Sequence, residues 1–557
     1  MKKLLFFLAI LLLVPGVLAQ KNTIKLLAVN EGTKQGAIVD LDLNVVDGSG
    51  KVFIETYPLT QIDTQISLRI AKLNACKMSG KYCLDKDFLY SLKTDSPVVA
   101  GPSAGAAMTL LTMASLENKK INPDSIITGT INSGGVIGVV GGLNEKIKAA
   151  ANKSMKKVLI PKGELNSTEL KKLRGEFNID IIEVSNIEEA FEIFTGEKVV
   201  RPELVVNSNY KDTMKKMNED MCKRTETLKD ELKKVDIPKK YNGTFNLGLN
   251  LSEKAEKFYS DEKYYSSASR CFGANVYFRE ILFGILNLTE NETEKQKHII
   301  EKELQGIEME LNLTEISNLG DLEANMIVRE RVDDARKNLM ENSTKGLSYA
   351  LERSYGASSW LNFVGFPGKS IDESKMKESC MMKISEVNEL YNYVALYVPF
   401  LMEETKKELE LAKKYLDSND YILCLFKASK SEAEINAALS TLYISDSNVK
   451  VLLQNKIFAA KKEIEKQIVN GNFPILGYSY YEYANALNES DRYNALLYAE
   501  YGIELSNLDV FFPVKRPFFK LDERALMTLV LGFLIGVVLF SIRKGYRRNK
   551  IVLKRRR

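Results

Sequence analysis

The sequence predicts an α/β domain, then an all-α region, then one C-terminal transmembrane helix. Three observations carry this. Residues up to about 200 alternate short apolar strand patterns with amphipathic helical ones. From about 200 to 510 helical patterns follow one another in a charged background. Ala525 to Ile542 (ALMTLVLGFLIGVVLFSI) is an uncharged apolar run long enough to cross a bilayer. At 557 residues the chain has room for two or three globular domains.

Residues 1–19 open with Lys2 and Lys3, continue through the apolar run Leu4 to Val14 and end on Val17-Leu18-Ala19, the pattern of a secretory signal peptide. The α/β domain is expected over 20–200. It begins with period-2 alternation in AIVDLDLNVVDGSGKVFIET, where Gly48-Ser49-Gly50 is a hairpin-type turn. An amphipathic helix follows from about Asp63, with Ile66, Ile70 and Leu73 on one face. Val98 and Val99 end a strand, Gly101-Pro102 forces a turn, and Ala104 to Leu116 is a helix-forming run. Ser103 therefore sits at a helix N-terminus, where backbone N–H groups and the positive dipole end favour an oxyanion. The domain closes near Gly196, with Arg201-Pro202 as the boundary.

Serine needs a base to become a nucleophile, and the sole histidine, His298, lies far away in a charged segment. A Ser-His-Asp triad is thereby disfavoured. A lysine serves when burial makes it neutral, and Lys146 opens a segment (EKIKAAANKSMKKVLIP) with an apolar surround. In order along the chain, GPSAG (101–105), ITGTI (127–131), GGVIGVVGGLNEK (134–146) and KVLIPKGE (157–164) resemble the proteolytic domain of the Lon family of serine peptidases, of the archaeal type and without an ATPase module. The resemblance implies a Lon-type α/β fold, Ser103 as nucleophile, Lys146 as general base and Thr128 as the hydroxyl that orients the lysine amine. It also implies an oxyanion hole of backbone N–H groups near Ser103. Two positions depart from the family: its Lys-Asp pair before Gly-Pro-Ser is Val99-Ala100 here, and its Thr-Gly-Glu is Thr128-Gly129-Thr130.

Beyond the boundary, a helical linker is expected over 201–245 and a helical repeat-like domain over 246–510. Met214, Met217, Met221, Leu228, Leu232 and Val235 recur at helical steps and read as a core-facing stripe. Three sets share a small residue, a bulky one at +3 and a tyrosine at +9: Ala255, Phe258 and Tyr264; Ala412, Tyr415 and Tyr421; Ala484, Leu487 and Tyr493. They look like the helix-turn-helix pairs of tetratricopeptide-type proteins, arranged as a bundle with repeat-like hairpins. Gly365-Phe366-Pro367-Gly368-Lys369-Ser370 imitates the end of a phosphate-binding loop but lacks its first glycine and reads as an ordinary loop.

The six cysteines form an even set: Cys76 and Cys83 bracket a short polar stretch suited to a local disulfide, while Cys222, Cys271, Cys380 and Cys424 allow three pairings. No metal-ligand spacing or cofactor motif is present in the sequence. After the apolar run, the tail 543–557 carries nine basic residues and no acidic one, which places it in the cytoplasm and the body outside. Without the tail and signal lysines the net charge of +5 becomes acidic, so composition gives no basic surface for nucleic acid. Sequons at Asn166, Asn242, Asn250, Asn287, Asn291, Asn312, Asn342 and Asn488 suit an exported surface. Phe511, Phe512, Phe518 and Phe519 are expected to approach the bilayer interface. The function expected is an ATP-independent, single-pass membrane-anchored serine endopeptidase acting outside the cytoplasm. Its partners are protein or peptide substrates, the bilayer and, through the helical region, neighbouring copies of the chain. The alternative is a non-catalytic surface scaffold that retains the peptidase fold.

Overall fold

In the segment GAIVDLDLNVVD every second residue is apolar, and these side chains go to one face of a strand. Val39, Leu41 and Leu43 are buried, while Asp40 and Asp42 point away from that core. This is β2 (Gly36–Asp47), in a computed structural model that describes residues 22–29, 35–99, 101–199, 203–341, 343–441, 449–512, 527–528, 530–541 and 543. The proposed signal peptide at 1–19 and the Arg201-Pro202 boundary lie outside the described residues.

The N-terminal part is an α/β domain on a seven-stranded mixed sheet. Its other strands are β1 (Asn22–Val29), β3 (Val52–Thr60), β4 (Lys86–Val99), β5 (Ser125–Ile127), β8 (Lys157–Pro161) and β9 (Asp180–Val184), in the order β3-β4-β2-β1-β5-β8-β9. Strands β1, β5, β8 and β9 run parallel, β2 is antiparallel to β1 and β4, and β3 is parallel to β4. A separate two-stranded ribbon joins β6 (Thr130–Ile131) to β7 (Ile137–Gly138).

The expected hairpin at Gly48-Ser49-Gly50 is not formed, because β4 lies between β2 and β3. The turn is tied to the start of β4 instead. The Asp87 carboxylate accepts from the N–H groups of Ser49 (2.8 Å) and Lys51 (2.9 Å). A short turn thus spans a gap that a later strand fills.

Helices α1 (Ile62–Ser79), α2 (Gly105–Leu116) and α5 (Ile187–Thr195) cover one face of the sheet, over Leu26, Leu41, Leu43 and Ile127. Helices α3 (Leu143–Asn152) and α4 (Ser167–Phe177) cover the other, over Leu27, Ile126, Val158 and Ile160. Neighbouring strand residues such as Leu26 and Leu27 therefore serve opposite cores, as the two-residue period of a strand requires.

The stripe expected to bury α1 faces the sheet only in part. Leu68, Ala71, Ala75 and Cys76 are buried there, Ile66 packs against the core of the helical region, and Ile70 packs against both cores. The helix is apolar on two sides because it lies between two cores.

The all-helical part comprises, among the described residues, α6 (Ser208–Leu232), α7 (Asn242–Ser260), α8 (Tyr264–Leu286), α9 (Glu290–Asn312), α10 (Leu319–Leu339), α11 (Thr344–Trp360), α12 (Met376–Tyr397), α13 (Glu403–Asp417), α14 (Tyr421–Thr441), α15 (Val449–Val469), α16 (Ile475–Leu487) and α17 (Arg492–Ser506). The methionine stripe of α6 is buried as expected, while Val235 lies beyond the helix end and is exposed. The three repeat-like sets fall on the hairpins α7–α8, α13–α14 and α16–α17, with Ala255, Ala412 and Ala484 buried where the helices meet. The +9 tyrosine is not a uniform packing element: Tyr264 is buried and Tyr493 is 64% exposed. The Gly365–Ser370 stretch is a loop, with Ser370 bridged to Asn318 and the Lys369 ammonium 3.1 Å from Asp509.

Three disulfides are formed: Cys76–Cys83 as expected, and Cys222–Cys271 and Cys380–Cys424 from the pairings left open. Phe511 and Phe512 do not form an exposed aromatic approach, since both are buried in the helical core. Phe518 and Phe519 lie outside the described residues.

Residues up to Phe512 form one compact unit and those from Pro513 a second. In the second, 530–541 is helical, with its apolar side chains exposed. Among the described residues no helix is long and apolar enough to cross a membrane. The remainder of the expected span, at 525–526, 529 and 542, lies outside the described residues.

Candidate active site

Ser103 lies in a 3-10 turn, Pro102–Ala104, that leads into α2. Gly101 takes φ of 101°, a conformation that favours glycine, and turns the chain sharply before the serine. Its N–H donates to the Asp63 carboxylate at 2.8 Å. Asp63, in the first turn of α1, thus anchors the approach to the nucleophile position. Nothing in its spacing links it to Ser103, and the sequence shows it only as an acidic residue at a helix start.

Behind the serine, β5 and the Thr128-Gly129 step supply the second wall. The Ser103 carbonyl accepts from Gly129 N–H at 2.9 Å and from the Thr128 hydroxyl at 3.3 Å. Ala106 N–H in turn donates to the Gly129 carbonyl at 3.0 Å. A Cβ on Gly105 would stand 2.7 Å from the Ile131 side chain, so glycine lets β6 approach the start of α2. Thr128 is fully buried.

Lys146 sits on α3, whose start is set by Gly142 in the left-handed region. The side chain is 3% exposed, in a helix that buries Leu143, Ile147 and Ala150. Burial lowers its pKa to about 8, against a weaker upward pull from the Glu164 carboxylate. Glu164 itself is pushed up to about 7 by burial, opposed by the Val140 N–H, 3.3 Å from its carboxylate oxygens, and by Lys146. Glu164 is a second residue that sequence reading placed only inside a motif. Its signal is the acidic residue closing KVLIPKGE, but only the fold turns it toward Lys146.

Strand β1 touches both the Ser103 turn and α3. Ser103 and Thr128 are brought together directly; Lys146 is not hydrogen-bonded to either. Among the described residues neither the Ser103 hydroxyl nor the Lys146 amine has a hydrogen-bond partner. The expected Thr128-to-lysine contact is likewise not made, because the Thr128 proton goes to the Ser103 carbonyl. The hydroxyl oxygen keeps its lone pairs for accepting.

The ribbon β6–β7 is held from the helical side. Ser133, in the 3-10 turn Ser133–Gly135 between those strands, accepts from the Lys456 ammonium on α15 at 2.7 Å and donates to Glu500 on α17. Lys456 and Glu500 are fully buried and 2.6 Å apart. Val136, Ala459, Ala460 and Ile503 seal this contact with apolar surface.

Residues 32–195 match the family model of the Lon protease (S16) C-terminal proteolytic domain. The chain is similar to a Lon protease of Finegoldia magna, 30% identical over 132 residues that cover 23% of this chain and 17% of that protein. It is 30% identical to Lon protease 1 of Syntrophobacter fumaroxidans over 181 residues, 30% of this chain and 22% of the relative. With Lon protease 2 of Borreliella burgdorferi the figures are 37% over 94 residues, 16% and 12%. The chain thus spans about a fifth or less of the length of these curated relatives. These matches support a serine peptidase domain.

Proposed function

We propose that the α/β domain is a serine endopeptidase in which Ser103 attacks the scissile carbonyl and Lys146 is the base. One observation carries this reading: a lysine buried in apolar surroundings, with its pKa lowered to about 8, in a domain that matches Lon-type proteolytic domains. At pH 7 about a tenth of such an amine is neutral and able to take a proton. As the Ser103 oxygen bonds to the substrate carbon, its proton passes to Lys146. The Ser103 N–H is assigned to the resulting oxyanion, because those of Gly101, Gly105 and Ala106 already donate to Asp63, Pro102 and Gly129. Lys146 then protonates the leaving amine, and in the second half-reaction activates the water that releases the acyl group. Thr128 accepts from the Lys146 ammonium when the site closes around substrate.

A serine-reactive fluorophosphonate tests this directly: labelling of the wild type at Ser103, lost in Ser103→Ala and Lys146→Arg, is the expected result. The unmade hydrogen bond between Ser103 and Lys146 favours the second reading, a surface scaffold that retains the peptidase fold. A folded wild type that resists the probe at pH 8 to 9 decides for the scaffold.

Anchoring by the apolar run, with the body outside and the basic tail in the cytoplasm, belongs to the same proposal. It is supported by the pairing of all six cysteines and by exposed sequon asparagines at 166, 242, 250, 287, 291 and 312. Protease added to intact cells should degrade the body and leave a fragment containing residues 525–557; protection until lysis would invert the orientation. ATP-independence is supported by Lys369 being committed to Asp509 in the loop that imitates a phosphate site. ATP with magnesium should leave turnover unchanged.

A further inference from the structure

A cavity of about 510 Å³ lies between the α/β domain and the helical region, in the size range of about 300–1,000 Å³ usual for small-molecule sites. Helix α1 and the Cys76–Cys83 loop form one wall, the β2–β3 turn a second, and α12 with Val510 and Phe511 a third. Five of its side chains are cationic, Lys51, Arg69, Lys72, Lys77 and Lys81, against two carboxylates, Glu386 and Glu389. Both carboxylates are engaged: Glu386 stands 3.0 Å from Lys77 and Glu389 stands 3.4 Å from Arg69.

That leaves Lys72. It is 8% exposed and lines the cavity, yet among the described residues it has neither a hydrogen bond nor an ion pair. Its ammonium faces the Phe88 ring at 5.9 Å. Burial lowers its proton affinity, opposed by the more distant Glu386 and Glu389. A largely buried lysine without a hydrogen-bonding anion is costly, and such groups mark ligand sites. Lys51 and Lys81 are exposed among the lining residues, while Leu73, Leu84, Met382 and Phe511 give it apolar walls.

We propose that this cavity binds an amphiphilic organic anion, with its carboxylate or phosphate head on Lys72 and its apolar body against Leu73, Met382 and Phe511. Because the walls come from both halves of the unit, the bound anion braces one against the other. The site needs no property of Ser103 and stands whether or not the α/β domain is a peptidase.

The test is direct binding of decanoate to the purified full-length chain, measured by calorimetry below the concentration at which decanoate aggregates. Decanamide serves as the uncharged counterpart and decyl phosphate as the alternative head. Binding of decanoate or decyl phosphate is expected, with decanamide and the Lys72→Met variant weaker by about tenfold or more, the worth of one hydrogen bond to a charged group. The preference between the two anions identifies the head group. Met382→Trp, which fills the cavity and leaves every cation in place, should also abolish binding. The proposal is overturned if neither anion binds the wild type, if decanamide binds as well as decanoate, or if either variant binds the anion as tightly as the wild type.

Discussion

Replacing Lys146 by methionine should stop the chemistry and strengthen the fold. The side chain is 3% exposed, and its pKa falls from 10.5 to about 8 mainly because burial penalises the ammonium. That fall corresponds to about 3 kcal/mol of destabilisation while the lysine is charged, a ceiling for what the uncharged isostere restores. Since the folded-state pKa lies below the unfolded one, the penalty is full below about pH 8 and fades as pH rises toward 10.5. Glu164 subtracts from the gain, because it loses the cation that favours its ionised form. Thermal unfolding at pH 7 and pH 10, run beside fluorophosphonate labelling, separates the two effects. Lys146→Met should unfold at a higher temperature than wild type at pH 7, show a smaller advantage at pH 10, and remain unlabelled. A variant less stable than wild type at pH 7 would refute the burial argument, and one labelled at the wild-type rate would refute the base.

Wild-type labelling should rise about tenfold per pH unit below pH 8 and level above it, as a single base losing its proton dictates; a flat profile counts against Lys146. Glu164→Gln removes the carboxylate that raises the Lys146 pKa, so the rising limb should move to lower pH, and no movement would show that the two groups are uncoupled. Asp63→Ala leaves Gly101 N–H without its acceptor at 2.8 Å and should slow labelling by about tenfold, the equivalent of about 1–2 kcal/mol, with little loss in unfolding temperature. Lys456→Met strands the buried Glu500 carboxylate and should destabilise the unit by about 3–5 kcal/mol, whereas the paired Lys456→Met, Glu500→Leu variant should recover most of this.

The order of motifs around Ser103, Thr128 and Lys146 was legible because each is local: a turn made by Gly101-Pro102, a helix run after it, and a glycine step before Lys146. So were the buried methionine stripe of α6 and the alanines where paired helices meet, since a 3.6-residue period is written along the chain. The side of α1 that faces the sheet was not legible. Ile66 and Ile70 were the more prominent apolar positions, and Ile66 meets the helical core while Ile70 touches both cores. Nor was the hairpin: Gly48-Ser49-Gly50 has the right turn chemistry, but nothing nearby announces that β4 will insert beside β2.

By itself the sequence determined which segments become strands and helices, and which residues are chemically able to act as nucleophile and base. Only the tertiary structure decided that Asp63 holds Gly101, that Glu164 faces Lys146, that Lys456 and Glu500 grip Ser133, and which cysteines pair. Periodicity and turn propensity act over a few residues. A hydrogen bond between Ser133 and Lys456, or a disulfide between Cys380 and Cys424, depends instead on packing that brings distant segments within a few ångströms and excludes the water that would compete for them.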